Sequence, residues 1–68
     1  MPNTSAIKAE RVRAGFSQEE MARELNCSTN TYNLKENGKA SFTLPEVLAF
    51  CKAVGISDPL KKASIFLI

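Results

Sequence analysis

Thr29, Asn30, Asn33, Leu34 and Asn37 fall on one side of a helical wheel drawn at about 100° per residue, with Tyr32 pointing the other way. The side they share is short, uncharged and rich in carboxamides and hydroxyls. These groups match the edges of nucleic-acid bases. An asparagine amide pairs bidentately with adenine, a threonine hydroxyl donates or accepts beside a methyl that can touch thymine, and leucine offers apolar contact. A helix face meant only for water more often carries alternating Glu and Lys. Ser17 and Gln18, at the start of the preceding helix, suit an anion, because the first N–H groups of a helix are unpaired and its dipole is positive there. Plain capping accounts for the same two residues.

Other chemistry finds few residues to work with. The sequence holds two cysteines, Cys27 and Cys51, and no histidine, so a zinc-ligand set cannot be assembled. The two cysteines could form one disulfide; the expectation is two reduced thiols in the core of a cytosolic protein. A glycine-rich phosphate loop and a clustered nucleophile–base pair are both missing, so neither an enzyme nor a cofactor is expected. Neither a small-molecule substrate nor a membrane partner is implied, since no apolar run approaches the ~18 residues of a span and the N-terminus lacks the apolar core of a secretory signal. The net charge of +2 permits an acidic partner, and ordinary solubility explains it equally well.

Five helical segments position these residues within one domain, residues 1–68. Helix 1 is predicted over about Ser5 to Ala14, with Asn3, Thr4 or Ser5 as N-cap and Gly15 just past its end. Ser17 opens helix 2 as a capping box with Glu20, and Met21, Ala22 and Leu25 form its apolar stripe. Asn26-Cys27-Ser28 breaks the chain, and Ser28 caps helix 3, from Thr29 to about Glu36, which Asn37-Gly38 stops. Thr43 caps helix 4 with Glu46 as box partner and Pro45 in the first turn. Leu44, Val47, Leu48, Cys51 and Val54 are its predicted buried stripe, and Gly55 ends it. Ser57-Asp58-Pro59 opens a short fifth helix, and the apolar tail after it fits a last helical turn or a strand. At 68 residues, a chain this size buries only about 60% of its unfolded surface, and such domains often gain support from oligomerisation.

The order of helix, short turn, helix, Asn-Gly-Lys loop, helix resembles the helix-turn-helix domains of phage Cro proteins and repressors, and the bacterial regulators of the xenobiotic-response-element type. The resemblance rests on Gly15-Phe16-Ser17-Gln18-Glu19-Glu20-Met21-Ala22, Leu25-Asn26-Cys27-Ser28, Glu36-Asn37-Gly38-Lys39, and the run from Thr43 through Leu48 with Ala53 to Ile56, in this order and spacing. The closest likeness is to short regulators of Gram-positive phages and prophages. It implies an all-α, compact five-helix, lambda-repressor-like DNA-binding domain whose helix-turn-helix is helices 2 and 3. The implied function is a sequence-specific transcriptional regulator working on a double-stranded operator in the bacterial cytoplasm, at the nucleoid. A protein-interaction module of antitoxin or antirepressor type is the alternative.

Residue by residue, the resemblance makes Thr29, Asn30, Asn33 and Leu34 the base-reading positions. It assigns Ser17, Gln18, Asn37, Gly38, Lys39 and Ser41 to the DNA backbone. Arg11 and Glu36 match a pair that forms a buried salt bridge in related repressors. Glu10 and Lys35 depart from positions that are usually apolar; their opposite charges lead us to expect a second pair beside the first, with Lys35 reaching solvent or DNA as the alternative. A weak homodimer is expected through helix 5 and the tail, with Ile65, Leu67 and Ile68 at the interface and Leu60 and Phe66 completing the core; a monomer whose tail folds entirely into its own core is the alternative.

Overall fold

A computed structural model describes residues 3–66. These form α1 (Thr4–Arg13), α2 (Gln18–Glu24), α3 (Thr29–Glu36), α4 (Leu44–Val54) and α5 (Pro59–Phe66), with no strand among the described residues. The expected all-α, five-helix architecture is the one observed.

Each of the first four helices starts where a short polar side chain can satisfy an unpaired N–H group. Asn3 Oδ1 accepts from the Ala6 N–H at 3.1 Å, and Ser28 Oγ accepts from the Thr31 N–H at 3.1 Å. Ser17 and Thr43 form complete capping boxes: the Glu20 and Glu46 carboxylates accept the cap N–H groups at 2.9 and 2.8 Å. Gly38 ends α3 with φ of 77°, and a Cβ there would stand 3.3 Å from Thr4 Cγ2. The chain therefore needs glycine to close α3 against the start of α1. The turn between α2 and α3 depends on Asn26, a non-glycine residue at φ of 62°. Asparagine tolerates that left-handed region better than most side chains, and the Cys27 N–H then donates back to the Ala22 carbonyl at 3.0 Å.

The core is built from Ile7, Met21, Ala22, Leu25, Tyr32, Val47, Phe50, Cys51 and Val54, with Ile56, Ile65 and Phe66 closing it. Phe42, beside the α3–α4 loop, packs edge-on against Tyr32, Phe50 and Phe66 with ring centroids 6.4, 6.4 and 5.2 Å away. Cys27 and Cys51 carry free thiols, and burial raises the pKa of both.

The packing corrects the helix 4 stripe. Val47, Phe50, Cys51 and Val54 are buried, whereas Leu44 and Leu48 stand exposed on the neighbouring face. Val47, Cys51 and Val54 follow the i, i+4, i+7 spacing, and Phe50 rather than Leu48 shares their side. The end of the chain is corrected too. Leu60 is 80% exposed, while Ile65 is 5% exposed beside Phe66. On an α-helix Leu60 lies about 140° from Ile65 and about 120° from Phe66, so α5 cannot bury all three. Ile65 is also held from outside α5, since its carbonyl accepts the Asn3 N–H at 2.8 Å. It packs in the core of the chain, in place of the exposed interface position expected of it. Leu67 and Ile68 lie outside the described residues.

Candidate nucleic-acid interface

α2 packs on α3 through the sides that carry Met21, Ala22, Leu25 and Tyr32, which leaves the opposite side of α3 to solvent. Thr29, Asn30 and Leu34 are exposed there, and Asn33 is half-buried. Among the described residues, the side chains of Thr29 and Asn30 form no intramolecular hydrogen bond. Their hydroxyl and amide groups face water with every donor and acceptor open.

Beneath this face runs a polar network. The Arg11 Nε donates to Glu36 Oε1 at 3.0 Å, with both side chains nearly fully buried, and Arg11 Nη1 donates to the Phe16 carbonyl at 2.7 Å. The Arg11–Glu36 pair that the resemblance implied is therefore present in the fold. Glu36 Oε2 accepts from Gln18 Nε2 at 3.0 Å. Gln18 Oε1 accepts from Asn33 Nδ2 at 3.2 Å, and Asn33 Oδ1 accepts from Asn37 Nδ2 at 3.2 Å. The Tyr32 hydroxyl is buried nearby without a hydrogen-bond partner; burial and the neighbouring Glu36 charge push its pKa far up.

Glu10 and Lys35 do not pair. Glu10 holds Arg13 one turn further along α1 and Lys61 of α5, the latter at 3.4 Å. Lys35 pairs with Glu46 of α4. The two residues belong to different seams, because successive α3 positions lie about 100° apart: Glu36 faces α1 and α2, and its neighbour Lys35 is turned to α4. Burial alone would raise the Glu46 carboxyl, but the Lys35 ammonium and the Thr43 N–H and hydroxyl outweigh it and hold its pKa below the usual carboxylate value.

The loop after α3 is closed from within. The N–H groups of Asn37 and Gly38 donate to the Asn33 and Lys35 carbonyls, and those of Lys39 and Ala40 both donate to Leu34. Main-chain donors at these four residues are thus already satisfied. What the loop offers outward is the Lys39 ammonium and the Ser41 hydroxyl, both on exposed residues. Ser17 Oγ is taken up as acceptor by the cap, and Gln18 by the network. Among the features that sequence reasoning did not find are the left-handed Asn26 and the Gln18–Asn33 bridge. The first has a weak local signal in the residue type; the second has none, being a contact 15 positions apart.

An α2–turn–α3 pair with its polar α3 face outward is the arrangement of a helix-turn-helix DNA-binding protein, whose second helix enters the major groove. A model of the helix-turn-helix domain family matches residues 5–63, and the chain belongs to that family. No curated protein and no solved structure matches the chain. Among the described residues no helix is long and apolar enough to cross a membrane.

Proposed function

We propose that this chain is a sequence-specific, non-catalytic transcriptional regulator of double-stranded DNA, Cro-like or repressor-like, from a phage or prophage. The observation that carries the reading is the exposed, uncharged face of α3, with Thr29, Asn30 and Leu34 open and the Lys39 loop alongside. Backbone contacts set the register and α3 reads base edges in the major groove. The chain works in the cytoplasm of a bacterial host, at the nucleoid, and occupancy of an operator blocks or recruits polymerase. Two copies on a two-fold site would place their recognition helices about 34 Å apart. The homodimer is weak and forms through α5 and the tail, with exposed Leu60 taking the place given above to Ile65. Selection from random duplexes, footprinting of the winner and sedimentation of the complex test all of this. A chain that selects no sequence is not such a regulator, and one chain per duplex at saturation removes the dimer.

Part of the positive charge is already engaged within the chain. Arg11, Arg13, Arg23, Lys35 and Lys61 each face a carboxylate within the chain, while Lys39 stands beside α3 without an ion pair among the described residues. Lys39→Ala is therefore expected to weaken specific and random duplexes alike and to reduce the salt slope of binding by about one unit. A fall in affinity at unchanged slope would mean that the lysine acts through the fold.

A further inference from the structure

The amides beneath the α3 face form a chain with a direction. It begins at Glu36, whose carboxylate faces the Arg11 guanidinium at 3.0 Å and has only acceptor oxygens to offer. Gln18 must therefore turn its NH2 group toward Glu36, which it does at 3.0 Å. Its carbonyl is then forced toward Asn33, which answers with Nδ2 at 3.2 Å. Asn33 Oδ1 is left pointing at Asn37, whose Nδ2 donates at 3.2 Å. A carboxamide is nearly symmetric in shape but not in hydrogen bonding, and turning it over exchanges donor for acceptor. Within this chain no amide can turn over alone without setting oxygen against oxygen or N–H against N–H. Among the described residues Asn30 has no such partner and is free to turn.

We propose that Glu36 and Gln18 are positioning residues that lock the Asn33 amide in one orientation, so that α3 offers a base pair a single order of donor and acceptor at that position. The idea rests on the DNA-reading role of α3 and names what makes one of its side chains selective. The ligand class is a major-groove edge whose donor–acceptor order complements the locked amide; the reversed base pair presents the opposite order. Binding the reversed pair would require Asn33 to turn and give up its bonds to both Gln18 and Asn37. Two hydrogen bonds of ordinary net strength set a preference on the order of ten-fold or more. Asn30 can adapt to either order, so its position discriminates by the bonds it makes and not by a preset direction.

Two measurements test the lock. In the free protein, NMR of side-chain amides should show the two Asn33 Nδ2 hydrogens well separated and slow to exchange, with those of Asn30 at solvent-exposed values. Gln18→Met, which keeps the length of the side chain and removes its polar end, should move the Asn33 and Asn37 amide signals. On DNA, that variant should lose the ten-fold preference at the Asn33 base pair and retain the preference at the Asn30 base pair. Asn33 hydrogens indistinguishable from those of Asn30 in the wild-type chain would overturn the lock without any DNA present. Wild-type sequence selection with the same base preference in Gln18→Met would overturn it as well. A wild-type chain that selects no sequence at all, but shows the protected Asn33 amide, would instead defeat the DNA reading on which the proposal stands.

Discussion

Glu36→Ala is expected to lower the stability of the fold by about 3–5 kcal/mol, because it strands a buried guanidinium. Arg11 is 7% exposed and Glu36 2%, so the arginine left behind could not recover its hydration without opening the α1–α3 seam. The substitution also removes the acceptor for Gln18 Nε2, and the bridge from α2 to α3 loses its anchor. A domain of this size has little stability to spare, roughly 3–5 kcal/mol from a single small core, so the variant should be largely unfolded near room temperature. Urea unfolding followed by circular dichroism reads this directly, and a midpoint equal to that of the wild type would show the pair to be energetically idle. Tyr32→Phe supplies the contrast. It removes a hydroxyl that is buried beside the same pair without a partner among the described residues and keeps the ring that packs on Phe42. Relieving an unsatisfied buried group is neutral or stabilising, so a clear loss of stability would show that the hydroxyl bonds to Arg11 or Glu36 after all.

Asn30→Ala should weaken binding to the selected operator by about 1–3 kcal/mol, relax the preference at one base pair, and leave random DNA nearly unaffected. The expectation is clean because the Asn30 side chain is exposed and holds no other part of the chain among the described residues. Its removal leaves the fold intact, and the whole loss reports on DNA. Asn33→Ala would not separate the two, since Asn33 also ties Gln18 to Asn37. Paired titrations of wild type and variant on operator and scrambled duplex make the comparison, with unfolding midpoints measured alongside. Equal losses on both duplexes would remove Asn30 from base reading and leave it a general contact.

What the sequence by itself determined about this protein is local. Ser17 with Glu20 and Thr43 with Glu46 mark helix starts because a cap and its partner lie three residues apart. Ser28, Asn3 and the glycines after α1, α3 and α4 are legible for the same reason: each signal is complete within one turn of chain. From these the five helices and the helix-turn-helix order follow, and so does the polar face of α3, whose residues are eight positions apart at most. The Arg11–Glu36 pair was reached only through resemblance, as its members are 25 positions apart.

Tertiary structure decided how each helix is rotated about its own axis and what it meets. An apolar residue at a helix edge carries no mark of the side on which the core will stand. Leu44 and Leu48 therefore look like core and are exposed, and Leu60, expected in the core, is exposed while Ile65 is buried. Charge behaves in the same way. Lys35 and Glu10 have opposite signs and suit each other on paper, but a turn of about 100° between neighbouring positions sends Lys35 to Glu46 and leaves Glu10 to Arg13 and Lys61. The Gln18–Asn33 bridge is of this kind too. It exists only because α2 and α3 are packed at one angle, and packing is a sum over all the buried side chains at once, which no short window of sequence contains.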